Sequence, residues 1–256
     1  MKKFISALNN NTFFYILGVF FIIGIWYIIS ISQGHGNVVF PTPHETFIKT
    51  GEILSTAYIY KCIGWTLLRT LMGFGVSFLL ALILGIIASR FPKIYTFLKP
   101  TVIVLKSAPT AAFIFLFLII VGSRFASIFI VFLISFPILF EAVVGGLNSI
   151  SEEINNALKV DLGNAFKGFI LVKLPLATPY IIVGVLSSLA LSFKTSIMAE
   201  IISGDTNYGL GSSITAYRSM DPTDLTPIFA VTLIAVVIVL IVDVLSIVIK
   251  KVIAKK

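Results

Sequence analysis

The chain has 256 residues, of which 58% are hydrophobic and 12% charged, about half the charged share of a typical soluble domain. So apolar a composition excludes an ordinary water-soluble fold, and the apolar residues come in blocks close to the roughly 20 that a helix needs to cross a hydrocarbon core about 30 Å thick. The formal charge of +8 lies in short clusters between these blocks, the pattern of membrane-flanking cations rather than of a nucleic-acid-binding face. Cys62 is the single cysteine, which excludes an internal disulfide and a metal site built on several thiolates.

Lys2 and Lys3 precede an uncharged run over residues 13–31. The run is longer than a signal-sequence core and no small-x-small cleavage site follows it, so it is expected to remain as a first membrane helix. An outer segment, 33–66, contains Pro41-Thr42-Pro43 and leads into a second span at 70–89. A third span is expected over 102–121 and a fourth over 125–147, joined by the tight turn Gly122-Ser123-Arg124, which makes them an antiparallel pair. A fifth covers 176–193, a second outer segment 199–224 carries Gly204, Gly209 and Gly211, and a sixth covers 225–249. Both outer segments are long enough to hold short surface helices.

Six spans put both termini on one side. Thirteen of the nineteen Lys and Arg residues then fall on that side and six on the other, which places both termini in the cytoplasm of a bacterial cell with the chain multi-pass in its inner membrane. No strand-period alternation and no internal repeat is visible. A β-barrel is thereby excluded, and an inverted-repeat secondary transporter loses its main sequence pointer. The expectation is one all-α membrane domain over residues 1–256.

Between the fourth and fifth spans, residues 151–173 are amphipathic. Ile154, Ala157, Leu158, Leu162, Ala165, Phe166 and Phe169 recur at three- and four-residue intervals and form one helical face. The other face carries Glu152, Glu153, Asn155, Asn156, Lys159, Asp161, Asn164 and Lys167, and Leu174-Pro175 is expected to stop the incoming helix. Periodicity alone leaves two readings open, a helix lying in the lipid interface and a helix-turn-helix docked on another protein.

A resemblance bears on that choice. An acidic residue, an alanine, a glycine, then an apolar residue and Leu-Pro, here Glu153, Ala157, Gly163, Val172, Leu174 and Pro175, resembles the cytoplasmic loop of binding-protein-dependent ABC transporter permeases. Pro41-Thr42-Pro43, Thr66-Leu-Leu-Arg69 with Gly73-Phe74, Pro109, Phe136-Pro137, Pro179-Tyr180, Gly184, Ala199-Glu200 and Gly209-Leu210-Gly211 follow in that family's order. The pattern is similar to the branch serving nitrate, sulfonate, taurine and thiamine-precursor uptake. Two departures stand out: counted back from Pro175 the family's glycine falls on Leu162, one place before Gly163, and its Glu-Ala-Ala triplet is replaced by Asn156-Ala157-Leu158.

The resemblance implies a six-helix permease of the type I ABC importer class. It implies a second permease copy, two cytoplasmic ATPase subunits and an extracytoplasmic solute-binding protein as partners, beside the lipid bilayer and without nucleic acid. It also implies that Glu153, Ala157, Leu158, Leu162, Gly163, Phe166, Leu174 and Pro175 form the surface coupled to the ATPase. No Gly-rich phosphate loop ending in Lys-Ser or Lys-Thr occurs, and Gly163-Asn-Ala-Phe-Lys-Gly168 has neither its spacing nor a preceding strand. ATP is therefore expected on a partner subunit, with no cofactor, metal site or enzyme activity in this chain.

Polar and kinked positions within the spans are the pathway candidates. Pro109, Pro137 and Pro179 interrupt three spans, as happens where helices line a cavity or a moving joint and also in plain structural kinks. Glu141 and Asp243 read as snorkelling groups or partners of a nearby lysine. Lys194 and Glu200 carry two readings, a mutual ion pair and, for Lys194, attraction of an anionic solute. The functional expectation is a permease moving a small polar solute, either a sulfonate-, nitrate- or taurine-like anion or a thiamine-precursor-like heterocycle. An ion-gradient-driven transporter or channel and a non-transport scaffold are the alternatives.

Overall fold

The computed structural model describes residues 11–32, 40–154, 165–204 and 208–253. The described residues are helical, without a β-strand, in the order α1 (Asn11–Ser32), α2 (Pro43–Leu54), α3 (Ala57–Arg90), α4 (Pro92–Ser107), α5 (Thr110–Val121), α6 (Ser123–Asn148), α7 (Ala165–Gly168), a π-helical turn (Phe169–Lys173), α8 (Leu174–Ser203), α9 (Leu210–Met220) and α10 (Thr226–Ile253). They fall into two compact units. One is Met1–Ile59 with Ile214–Ile234, the other Tyr60–Ser213 with Ala235–Lys256.

In the first unit the chain after α1 is held back against it. The Trp26 indole N–H donates to the Pro41 carbonyl at 3.0 Å, the Ser30 hydroxyl donates to the Phe40 carbonyl at 2.8 Å, and the Phe229 ring lies 5.9 Å from Trp26 and 4.8 Å from Phe40. Pro43 opens α2 where a missing N–H costs nothing. Thr42 and Glu45 close a reciprocal capping box around its first turn: the Glu45 N–H donates to the Thr42 hydroxyl, and the Thr42 N–H to the Glu45 carboxylate at 2.8 Å. That backbone N–H, with the Thr42 hydroxyl, holds the Glu45 carboxyl below its usual range.

The second unit is built on α6 and α8, which run antiparallel. Small residues bring them together: a Cβ on Gly184 would overlap the Ala142 Cβ, and one on Gly146 would sit 3.0 Å from the Tyr180 Cβ. Two buried serine pairs bridge the helices, Ser127 to Ser196 at 2.8 Å and Ser135 to Ser192 at 2.6 Å. Without a hydrophobic drive between helices in lipid, close small-residue packing and such hydrogen bonds supply the adhesion. Ala81, Ala88, Val102, Phe136, Leu139, Phe140 and Val144 form one buried cluster, and α5 adds Ile114 against Ile130 and Ala199 in another.

Four helical stretches are long and apolar enough to span a membrane: α3, α6, the π turn with α8, and α10 up to Val252. The pair α4 and α5 makes a fifth if counted as one broken span, bent by 100°. The apolar stretch Ile16–Ser32 of α1 is shorter, so the described residues hold four to five spans by this measure where the sequence suggested six. Short helices α2 and α9 occupy the two segments expected to hold them.

Three boundaries differ from expectation. The second span is expected to begin at residue 70, yet α3 is one helix from Ala57 to Arg90. The third was expected to run through 102–121 but breaks at Ala108-Pro109, where Ala108 is extended (ψ 141°) and Pro109 caps α5 instead of continuing α4. Leu174-Pro175 does not stop a helix: α7, the π turn and α8 are continuous. The Leu174 N–H bonds the Phe169 carbonyl five residues back, and this widened turn makes room for a proline that would otherwise press on the carbonyl four residues before it. The expected turn between α5 and α6 is present. Gly122 adopts φ +76°, and Phe117 stacks on Phe129 across it with ring centroids 5.6 Å apart.

Candidate functional site

Glu200, near the end of α8, is fully buried and is the centre of the most elaborate polar cluster among the described residues. Arg69 on α3, itself 8% exposed, donates through Nη1 to Glu200 Oε1 at 2.9 Å and to the Tyr208 carbonyl at 2.7 Å. Thr66, one turn earlier on the same face of α3, donates its hydroxyl to Glu200 Oε2 at 2.8 Å and accepts the Leu210 N–H at 2.9 Å. The Gly211 N–H donates to Glu200 Oε2 at 3.1 Å. The two oxygens thus meet a guanidinium, a hydroxyl and a backbone amide, the charge-assisted set that makes a buried carboxylate tolerable.

The glycines beside it follow from that crowding. A Cβ at Gly209 would lie 2.7 Å from Glu200 Oε2, and one at Gly211 would run into the Ile197 carbonyl and lie 2.6 Å from the Glu200 Cβ. Gly209-Leu210-Gly211 is therefore the sequence that lets the start of α9 sit directly on the carboxylate. Cations flank the cluster over aromatic faces, Arg69 over Trp65 at 5.6 Å and Lys61 over Tyr208 at 5.8 Å. With its carboxylate tied on both oxygens, the arrangement fixes helices rather than performing acid–base work.

This overturns the mutual pairing of Lys194 with Glu200. Lys194 instead faces Asp243 on α10, Nζ to Oδ2 3.7 Å, and both side chains are about half exposed. Glu141 pairs with Lys106 at 2.7 Å, also half exposed. Of the three prolines, Pro109 sits at the break between α4 and α5, Pro137 is buried inside α6, and Pro179 is exposed on α8. In the amphipathic segment, Glu153 is exposed in a short helical stretch whose first turn is capped by Ser151, and Leu174 and Pro175 begin α8. Ala157, Leu158, Leu162 and Gly163, and the Phe166 side chain, lie outside the described residues.

Thr66, Arg69, Gly209 and Gly211 were visible in the sequence only as pieces of a family pattern, not as one site. What joins them is a contact across 131 residues between Arg69 and Glu200.

A bundle of long apolar helices with a broken span, small-residue packing and buried polar staples defines an all-helical membrane protein. The chain belongs to the family described as the binding-protein-dependent transport system inner membrane component, which it matches over residues 77–254. It is 27% identical over 175 residues to a probable ABC transporter permease protein of Brucella melitensis, covering 68% of this chain and 71% of that one. It is 28% identical over 151 residues to the nitrate import permease protein NrtB of Leptolyngbya laminosa, covering 57% and 54%. In fold it is similar to a chain of the MetNI methionine ABC transporter in inward-facing form, with a TM-score of 0.65, 18% identity and coverage of 77% and 96%. A chain of an amino acid ABC transporter gives a TM-score of 0.63 at 17% identity, covering 76% and 92%. The fold is that of a type I ABC importer permease, and the expected resemblance is met.

Proposed function

We propose that this permease forms, with a second copy, the pathway of an ATP-driven importer for a small polar solute, and that residues 151–173 couple it to two cytoplasmic ATPase subunits. An extracytoplasmic binding protein delivers the solute. ATP is bound and hydrolysed on the partner subunits, and this chain converts their movement into helix movement.

The observation that carries this reading is the way α6 and α8 are joined. They are closely packed, held by Gly184 on Ala142, Gly146 on Tyr180 and two serine pairs. The connection between them is the amphipathic segment. A force applied to that segment reaches both helices at once, and packed helices answer by moving as a body. Similarity to a nitrate import permease makes nitrate the first solute to test.

Leu158→Ala/Leu162→Ala removes apolar contacts at the proposed docking surface while leaving the spans unchanged; large-to-small changes at packed sites cost about 2 kcal/mol each or more. The variant is expected to insert normally, to lose its ATPase subunits on purification, and to lose ATP-dependent uptake in proteoliposomes. Changing the polar position Asn155 to Asp should have much less effect. Full ATPase recovery and normal uptake in the double variant would remove this segment as the coupling element, and uptake without any ATPase would favour the ion-gradient alternative.

A further inference from the structure

α8 carries a polar file along one side. Tyr180, Ser187 and Lys194 are spaced by seven residues, two helical turns, and all three are exposed. On α10, Asp243 and Lys250 have the same spacing and meet them in antiparallel register. Lys250 Nζ donates to the Ser187 hydroxyl oxygen at 2.8 Å, and Lys194 faces Asp243 at 3.7 Å. Ser187 gives its own proton to the Val183 carbonyl at 2.8 Å, so its lone pairs are turned to Lys250. Between the two contacts the Ser246 hydroxyl donates to the Leu186 carbonyl at 3.4 Å. The result is a hydrophilic seam between two helices that are otherwise strongly apolar.

The inner pair is deep. Asp243 is the one charged residue of α10 between Thr226 and Ile249, 17 residues after Thr226 and 7 before Lys250 (243 − 226 and 250 − 243), about 26 and 10 Å of helix, and its short side chain cannot snorkel so far. Yet the Lys194 and Asp243 side chains are 55% and 41% exposed. Ionised groups at such depth are costly against lipid and belong beside protein or water. Lys194, Asp243 and Lys250 together carry one net positive charge, and among the described residues no carboxylate lies within ion-pair distance of Lys250.

Resting on the importer reading above, we propose that the seam from Lys194 to Lys250 walls a water-filled part of the translocation path and receives a small oxyanion, the class to which nitrate and sulfonates belong. Lys250 and Lys194 supply the attraction. Asp243 holds Lys194 in place and keeps the local field weak enough for the anion to leave.

The test uses charged thiol reagents as probes of both water and field. In the complete transporter, with Cys62→Ala, single cysteines are placed at Leu191 and Met198, exposed on the seam side of α8, and at Ile241 and Val248, exposed on the far side of α10. Anionic sulfonatoethyl and cationic trimethylammonioethyl methanethiosulfonates should modify Leu191→Cys and Met198→Cys but not the two α10 controls. Adding Lys194→Met should lower the anionic-to-cationic rate ratio about fivefold, since one unit charge some 8 Å away in water favours one reagent and disfavours the other by similar factors. Seam cysteines as inert as the controls would put this side against lipid. Disulfide-linked pairs of permease forming at Leu191→Cys on oxidation would make it a contact between copies, and a ratio unmoved by Lys194→Met would remove the anion preference; each result overturns the proposal. Reactive seam cysteines in a complex that shows no ATP-dependent uptake would count against the importer reading instead, so the two failures are distinct.

Discussion

Arg69 is a full charge within a long apolar helix, and the chain sustains it by burying Glu200 against it. Removing one partner of a buried ion pair leaves the other uncompensated and costs about 3 kcal/mol or more. Arg69→Met should therefore destabilise the purified permease by that order, read as a drop in its thermal unfolding midpoint. Arg69→Met/Glu200→Gln should recover more than half of the loss: the amide oxygen still accepts from Thr66 and Gly211 while no lone charge remains. A double variant no more stable than Arg69→Met would show that the pair's charge is not what the cluster protects. Every residue of the cluster was visible in the sequence, but its assembly was not. The nearest cation to Glu200 along the chain is Lys194, six residues back, and six residues turn a helix through about 600°, which leaves the two on different sides. The i+3 and i+4 spacing rule thus argues against the local pair, and nothing in a single sequence names a partner 131 positions away.

At the scale of elements, the run of apolar residues was enough to place the long helices, because hydrocarbon thickness sets their length. Their ends and breaks were harder to place, because tertiary neighbours decide them. α3 begins well before the expected start at residue 70 and runs on through Arg69, because Glu200 neutralises that charge, and Leu174-Pro175 looked like a stop until a π turn absorbed the proline. The break at Pro109 needed only the proline's own restriction on Ala108, yet three prolines were offered and α6 runs straight through Pro137. Packing between elements is legible only through the glycines, whose reason for being small lies on the facing helix. Gly184 meets Ala142 so closely that any added side chain must push α6 and α8 apart. Gly184→Val should cost about 1 to 3 kcal/mol by overpacking, seen as a lowered unfolding midpoint, with uptake falling further than stability alone explains if the two helices move as one body. Gly145, with no atom within 4 Å of a Cβ added there, is the matched control: Gly145→Ala should leave both measurements near wild type.

At the scale of the whole molecule the direction in which it faces matters most, since the proposed coupling segment, residues 151–173, and the proposed seam have functional meaning only with a direction. The charges decide between two otherwise equal insertions. Thirteen cations lie with the termini and residues 151–173, and four, Lys49, Lys61, Arg124 and Arg218, lie on the opposite side once Arg69 and Lys194 are counted within the helices; cationic loops stay where they are synthesised, which predicts that the richer side is cytoplasmic. The seam would then run from mid-membrane at Lys194 and Asp243 toward the cytoplasmic end, where Lys250 and Lys251 close α10, and an anion released from the middle of the membrane would meet increasingly positive potential as it leaves. The prediction is tested by single cysteines at Asn37, Asn164 and Asn207 in a Cys62→Ala background, treated in intact cells with a thiol reagent that cannot cross the membrane. Asn37→Cys and Asn207→Cys should be labelled, and Asn164→Cys only after the cells are opened. Labelling of Asn164→Cys alone in intact cells would invert the molecule, placing the amphipathic segment out of reach of any cytoplasmic ATPase and leaving the coupling proposal without a site.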